Sequence, residues 1–249
     1  MIRIENLTVT YGNVVALKDI NLNINDGEFV VVIGPSGAGK STLLRCLNGL
    51  IKPSKGKISV NGIEVTGANG EELRKLRCNI GIIFQQFNLV KRLSVMTNIL
   101  CGRLGYANEL PSLLGHFSKE DKELATKSLA RVGLEDKTYQ RADTLSGGEQ
   151  QRVAIARALV QNPSVILADE PMASLDHRLA HLIMDILKRI NEEDGITMLV
   201  TLHVLELALQ YGQRLVALNK GAVVYDGVPK NLTPKLLEKI YGGVVDYEV

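Results

Sequence analysis

A glycine-rich stretch near the amino terminus constrains this chain more than any other feature. It follows the apolar run 29–33, which predicts a buried strand, and it precedes residues 43–47, which predict a helix. Glycines at such a turn leave backbone N–H groups free to face phosphate oxygens, and the helix N-terminus adds a positive dipole end. The stretch therefore predicts a phosphate-binding loop, and it consists of Gly34, Pro35, Ser36, Gly37, Ala38, Gly39, Lys40, Ser41 and Thr42.

Two side chains of this loop carry chemistry. Lys40 is expected to reach the β and γ phosphates of a nucleotide, and the Ser41 hydroxyl is expected to hold Mg²⁺. A glycine-rich segment that only turns the chain is the alternative. The complete spacing of Gly34, Gly39, Lys40 and Ser41 after a strand favours phosphate binding.

Composition limits the classes of function. The 249 residues include 29 basic and 27 acidic ones, a net charge of +2, which gives no support to a nucleic-acid partner. The length fits one large domain, or a domain with a subdomain. Three separated cysteines match no metal or redox spacing and favour a reducing cytoplasm. Because neither a signal peptide nor a long apolar run is seen, we expect a soluble chain that reaches a membrane only through a partner.

The segments around the loop predict short antiparallel strands. Residues 2–24 alternate around a turn that contains Tyr11, and a second hairpin is expected around Asn61-Gly62. Tyr11 is either a base-stacking aromatic or an ordinary amphipathic surface residue. Gln85 follows the apolar run 80–84, at the edge where open α/β sheets bind ligands, so it is a candidate for orienting a water or a metal. A solvated strand end is the competing interpretation of Gln85.

Residues 87–163 change to helical periodicity and predict an inserted helical subdomain, with 102–117 as a long connection and Ser118 as a helix start. The next helix opens with Ser146, Gly147, Gly148 and Glu149. Ser146 and Glu149 have capping-box spacing, but two adjacent glycines weaken a first turn. The glycines are explained if a ligand approaches bare backbone, which predicts a second anion site.

Acidic and imidazole side chains follow two further buried strands. Asp169 and Glu170 come directly after the run 165–168, where alternation should send their side chains to different sides. We expect Asp169 to hold Mg²⁺, and Glu170 to face the γ-phosphate and take a proton from water. His203 follows the strand 196–201 and can hydrogen-bond the γ-phosphate. Solvated acids and a surface histidine are the alternatives.

Taken in order, the phosphate loop, Gln85, the segment 145–150, the acids after 165–168 and His203 resemble the motif set of ATP-binding cassette (ABC) ATPases. The resemblance implies an α/β P-loop NTPase fold with a RecA-like core, an antiparallel β subdomain and an inserted α-helical subdomain. It divides the chain into three parts. The nucleotide-binding core with its β subdomain takes 1–86 and 164–226, the helical subdomain takes 87–163, and a C-terminal helix and tail take 227–249.

The resemblance also assigns roles. It makes Tyr11 the adenine-stacking aromatic and His203 a switch histidine. It makes Gln85 a metal ligand beside Ser41 and Asp169, and the residue that links ATP and Mg²⁺ to a membrane partner. It implies a head-to-tail dimer, in which Ser146 and Gly148 of one copy contact the ATP that Lys40 of a second copy holds, with Gly147 and Glu149 in the same binding segment.

Finer features are similar to the ATP-binding subunits of phosphonate and phosphite importers. They are the segments 84–90, 92–95, 102–105 and 201–203. The implied partners are an integral-membrane permease and, indirectly, a periplasmic or lipid-anchored substrate-binding protein, and the implied location is the cytoplasmic face of the inner membrane. Importers of polar amino acids share part of 84–90 and remain an alternative. A soluble ABC-type subunit of a cytoplasmic phosphonate-degrading complex is another.

Overall fold

The structure is a computed structural model that describes residues 1–106, 116–173 and 175–242. Its strands form one sheet of six and one of four. The strands are β1 (Ile2–Tyr11), β2 (Val14–Ile24), β3 (Phe29–Ile33), β4 (Lys55–Val60), β5 (Ile63–Glu64), β6 (Ile80–Ile83), β7 (Val165–Asp169), β8 (Thr197–Thr201), β9 (Arg214–Asn219) and β10 (Ala222–Gly227). The α-helices are α1 (Lys40–Leu47), α2 (Gly70–Asn79), α3 (Val95–Leu100), α4 (Lys119–Arg131), α5 (Gly147–Leu159), α6 (His177–Asp194), α7 (Leu205–Tyr211) and α8 (Pro234–Tyr241).

The six-stranded sheet has the order β10-β9-β3-β8-β7-β6, in which only β10 runs antiparallel to its neighbour. Its central strand β3 is an unbroken apolar run because both faces are covered. Phe29, Val31 and Ile33 enter the core cluster with α5 and α6, whereas Val30 and Val32 enter a second cluster with α1 and the other sheet. The parallel core confirms the predicted α/β fold.

The four-stranded sheet has the order β2-β1-β4-β5 and is antiparallel throughout. The two hairpins expected around Tyr11 and around Asn61-Gly62 are both formed. Inward-facing residues of β1, such as Ile2 and Ile4, are buried against the second core cluster. This sheet therefore covers the face of the central sheet on which α1 also packs.

Between β6 and β7 the described part of the chain consists of an irregular segment, 84–94, followed by helices and short turns. Ser118 and Ser146 cap α4 and α5 with reciprocal capping boxes, as their spacing predicts. Residues 101–103 form a 3₁₀ turn, and the middle of the predicted connection 102–117 lies outside the described residues. Among the described residues, no helix combines the length and the apolar content needed to cross a membrane.

Two polar side chains, the buried Asn98 and the half-buried Arg157, shape the segment that leads from β6 into α3. Asn98 accepts a hydrogen bond from Val90 N at 2.7 Å and donates to the carbonyl oxygens of Val90 at 3.1 Å and Ser94 at 3.0 Å. Arg157 of α5 donates to the carbonyl oxygens of Phe87 and Asn88 at 2.9 and 2.6 Å. The segment 87–94 is thus held by hydrogen bonds to its backbone rather than by regular pairing.

Candidate functional site

Three parallel strands end side by side and bring distant parts of the sequence together. The register pairs Val32 of β3 with Thr201 of β8, and Thr201 in turn with Asp169 of β7. The phosphate loop, the two acids and His203 follow these strands directly, so they lie at the same edge of the sheet. That edge is where open α/β sheets bind ligands, and the predicted residues converge on it.

The phosphate loop is packed so closely that glycine is required at two positions. Gly34 has φ 143°, and a Cβ there would lie 2.1 Å from the carbonyl oxygen of Leu218 in β9. Gly39 has φ 105°, and its Cβ would lie 2.6 Å from the carbonyl oxygen of Ala16 in β2. Gly39 is also the N-cap of α1, whose first N–H groups have no partner within the helix. The loop thus presents bare backbone donors that fit an anion such as phosphate.

Lys40 is buried inside the loop, with 4% of its surface exposed. Its Nζ donates hydrogen bonds to the carbonyl oxygens of Gly34 at 2.7 Å and Pro35 at 3.2 Å. Burial lowers the pKa of Lys40, and the carboxylates of Glu170 and then Asp169 partly offset that effect. A cation placed this way can interact with phosphate oxygens that enter the loop.

Ser41 and Asp169 form an oxygen pair of the kind that Mg²⁺ prefers. Ser41 Oγ donates to Asp169 Oδ1 at 2.8 Å, and Thr201 Oγ1 donates to the same oxygen at 3.0 Å. A hydroxyl beside a carboxylate supplies hard ligands next to the phosphate loop. These residues therefore fit the predicted magnesium ion.

Glu170 lies just beyond the end of β7, so its own backbone conformation and not the predicted strand alternation sets the direction of its side chain. It has φ 48°, in the left-handed region that few residues other than glycine adopt, and its N–H donates to Thr201 Oγ1 at 2.8 Å. Its carboxylate is in hydrogen-bond contact with Nε2 of His203. The two acids consequently contact different partners, which suits them to different roles.

A cavity of about 210 Å³ lies between the phosphate loop, Glu170 and His203. It is lined by Ala16, residues 36–42, Glu170 and His203. Tyr11 lies outside this lining and is exposed at the turn of the β1–β2 hairpin, the same hairpin that contributes Ala16. Gln85 is exposed and lines a different groove of about 570 Å³, together with Gln150 and Ala173. Its predicted metal contact therefore stays a prediction.

The segment 146–149 is absent from the described lining of the phosphate-loop cavity. The backbone N–H and then the Oγ of Ser146 each donate to Glu149 Oε2 at 2.8 Å, and these hydrogen bonds hold the pKa of Glu149 below its usual range. Gly147 is exposed, and a Cβ there would make only ordinary contacts. Gly148 is buried, and a Cβ there would lie 3.1 Å from Leu179. Packing within the chain thus accounts for Gly148, whereas Gly147 and Ser146 remain open to solvent.

The sequence interpretation gave no role to Thr201. In the structure its hydroxyl donates to Asp169 and accepts from the N–H of Glu170, so one side chain positions both acids. A threonine that ends an otherwise apolar strand, two residues before His203, was the available signal. Ala16 was also missed, because an alanine on a strand carries no chemical signal.

Comparison with known proteins agrees with this geometry. A family model described as ABC transporter matches residues 17–173. Phosphonates import ATP-binding proteins of Halalkalibacterium halodurans and Lactobacillus johnsonii are 50% and 52% identical to this chain. The first match covers 97% of this chain and 94% of the relative, and the second covers 98% and 96%.

Solved structures give the same result. A dimeric bacterial ABC transporter cassette superposes with a TM-score of 0.81 at 39% identity, over 92% of this chain and 99% of its own. An ATP-binding cassette of an ABC transporter in its ADP conformation gives a TM-score of 0.84 at 30% identity, over 96% and 97% of the two chains. The likeness extends over nearly all of each chain.

Replacing Thr201 with valine keeps the shape of the side chain and removes its hydroxyl. We expect Thr201→Val to lower the free energy of unfolding by about 1–3 kcal/mol, because the N–H of Glu170 loses its acceptor. ATP hydrolysis should also fall, since both acids lose their common partner. Urea unfolding and a phosphate-release assay measure the two effects.

The matched control is Thr126→Val on the exposed side of α4, which should change the unfolding free energy by less than about 0.5 kcal/mol. Equal stability and equal turnover in Thr201→Val and the parent would show that this hydroxyl does not position the acids.

Proposed function

The chain belongs to the ATP-binding cassette transporter family, and from that membership we propose that it is the ATP-hydrolysing subunit of an importer that takes up phosphonates. The observation that carries the proposal is the edge of the central sheet, where the phosphate loop, Glu170 and His203 line one cavity and Asp169 accepts a hydrogen bond from Ser41 of that loop. The phosphonate assignment is supported by the relatives named for phosphonate import, which are at least 50% identical over nearly the whole chain.

Glu170 is proposed as the general base. It takes a proton from a water, and the water attacks the γ-phosphate in line with the leaving ADP oxygen. His203 contacts the carboxylate of Glu170 and holds it toward the phosphate-loop cavity. Lys40 and the loop N–H groups stabilise the charge that develops on the transferred phosphoryl group.

Ser41 and Asp169 are proposed to hold Mg²⁺, and Gln85 is a further predicted ligand. The ion would neutralise charge on the β and γ phosphates when bound. The hydrogen bond from Thr201 to Asp169 fixes the orientation of the carboxylate, which is the usual way in which a metal ligand is positioned.

A head-to-tail dimer is proposed because the phosphate-loop cavity lacks the segment 146–149. Ser146 and Gly147 lie exposed at the N-terminus of α5, a helix end that favours anions. In the proposed dimer they and the backbone of Gly148 contact the ATP that the second copy holds, and a Cβ at Gly148 would press on Leu179. The dimeric structure of a related cassette supports this arrangement.

The Glu170→Gln variant separates binding from hydrolysis. We expect it to bind ATP and to accumulate as a dimer, because the amide cannot accept the proton that hydrolysis requires. Turnover should fall about 10²- to 10⁴-fold. Gel filtration with ATP and a phosphate-release assay measure these outcomes.

Glu238→Gln, on the exposed side of α8, is the control and should hydrolyse ATP at the parent rate. Parent-like turnover in Glu170→Gln would remove Glu170 from the role of base. An ATP-bound variant that stays monomeric at micromolar concentration would contradict the proposed dimer.

The permease is proposed to bind beside the groove that contains Gln85. Exposed apolar side chains are found on the segments next to it: Val90 and Leu93 follow the groove residues in the chain, and Tyr139, which is 87% exposed, precedes Gln140, whose carbonyl oxygen accepts from Val95 N. The carbonyl oxygens of Lys91 and Leu93 accept hydrogen bonds from residues 142–143, which places these two segments side by side. A membrane partner that covered this patch would lie next to Gln85 and could respond to the nucleotide.

Tyr139→Glu tests this surface. We expect it to weaken copurification with the permease roughly tenfold or more, because an aromatic side chain buried in an interface contributes strongly and a charge there would be desolvated. Pull-down from detergent-solubilised membranes measures the effect. Leu50→Glu is the control, since the half-exposed Leu50 follows the end of α1 opposite the phosphate loop. If Tyr139→Glu and Leu50→Glu captured the permease equally well, the permease would not bind at the surface that contains Tyr139.

Growth of a deletion strain tests the substrate. The strain should fail to grow with a phosphonate or phosphite as sole phosphorus source, should grow on phosphate, and should be rescued by the parent gene but not by Lys40→Ala. Normal growth on both phosphonate and phosphite would overturn the substrate assignment. Copurification with a soluble lyase instead of a permease would favour the cytoplasmic phosphonate-degrading complex, and loss of polar amino acid uptake would favour that importer class.

A further inference from the structure

Two histidines and a glutamate meet on the surface formed by α6 and α7, outside the residues proposed for hydrolysis. His177 and His181 belong to α6, and Glu206 belongs to the first turn of α7. One ligand atom from each of the three lies within 4.8 Å of the other two. His177 also lines a cavity of about 370 Å³ whose wall includes Glu170 and His203. The cluster is therefore a neighbour of the hydrolytic site and not part of it.

The helix geometry brings the two imidazoles onto one face. His177 and His181 are four residues apart, and their ring centroids are 4.5 Å apart. Asp176 caps α6 by accepting a hydrogen bond from Leu179 N at 2.9 Å, so α6 begins at His177. Glu206 Oε2 lies 3.7 Å from His177 Nε2. Two histidines four residues apart on a helix are a common metal-binding spacing.

A hydrogen-bond chain behind His181 determines its tautomer. Tyr211 donates its hydroxyl proton to Asp185 Oδ1 at 2.7 Å, and the Tyr211 oxygen lies 3.1 Å from His181 Nδ1. Because the hydroxyl proton of Tyr211 is donated to the carboxylate of Asp185, the Tyr211 oxygen can only accept a hydrogen bond from His181. Nδ1 of His181 therefore carries the hydrogen. Nε2 of His181 then keeps its lone pair. Metal-binding histidines are typically oriented by such a contact from the other ring nitrogen to a polar partner.

We propose that His177, His181 and Glu206 bind a divalent transition metal of the zinc type. Two imidazoles and one carboxylate suit Zn²⁺, with a water in the fourth position, whereas Mg²⁺ prefers oxygen ligands alone. Zn–N bonds of about 2.0–2.1 Å would bring the ligand atoms to roughly 3.4 Å from one another. The side chains of His177 and Glu206 are largely exposed, so they are free to make that small adjustment.

Metal binding here would tie together two loops of the hydrolytic site. The turn after Glu170 leads into α6, and α7 begins two residues after His203. A metal that joins α6 to α7 restrains the relative position of the segments that carry Glu170 and His203. The site is thus positioned to regulate their contact, and its metal affinity can be measured whether or not the proposed function is correct.

The test is zinc titration by calorimetry on the full chain without nucleotide, after removal of metal by a chelator. One Zn²⁺ per chain is expected. His177→Ala and His181→Ala should each weaken zinc binding at least tenfold. Removing a residue that only orients a metal ligand typically lowers the affinity by that much, and removing the ligand itself should lower it at least as far. His116→Ala, at an exposed position away from the cluster, should bind as the parent does. No stoichiometric binding by the parent, or parent-like binding by His177→Ala and His181→Ala, would overturn the proposal.

A second variant tests the hydrogen-bond chain. Tyr211→Phe keeps the ring and removes the acceptor for His181 Nδ1, and it should weaken zinc binding about 10- to 100-fold. Saturating zinc should raise the Tm of the parent by roughly 5 °C and leave that of His177→Ala unchanged. Zinc binding that disappears in His203→Ala but survives in His181→Ala would place the metal at the hydrolytic pair and overturn the proposed site.

Discussion

The lateral register of β3, β8 and β7 is the constraint on which the rest of the site depends. Thr201 lies between Val32 and Asp169 in that register, and its hydroxyl reaches across to Asp169 and receives the N–H of Glu170. A shift of one residue would turn every side chain of a strand to the opposite face and separate these groups. Such a shift is opposed because the strand's apolar side chains would have to repack against both closely packed core clusters.

The register of these strands also places the charged side chains of Lys40, Asp169 and Glu170 close to one another. Lys40 is buried, and loop carbonyls satisfy its ammonium, while Asp169 and Glu170 lie near enough to counter part of the burial effect on its pKa. Glu170 adopts a strained backbone conformation that aims its carboxylate at His203. The strain is tolerated because Thr201 anchors the N–H of Glu170.

The surroundings of the site are connected to it by secondary structure. The turn after β7 contributes Ala173 to the groove beside Gln85 and then leads into α6, where His177 begins the histidine pair. The groove of the proposed permease surface and the proposed metal site thus both include residues that follow Glu170 closely in the chain.

The sequence by itself determined the motifs and the ends of the strands that carry them. The phosphate loop, the acids and His203 each follow a buried apolar run, and parallel strands ending at one edge bring such residues together. Only the tertiary structure decided which side chains contact one another. Thr201 joins both acids because β8 lies between β3 and β7, Gly148 is buried because α6 packs on α5, and Tyr211 sets the tautomer of His181 because α7 lies against α6. Strand order and helix packing join residues far apart in the chain, and a local pattern of residues does not contain that information.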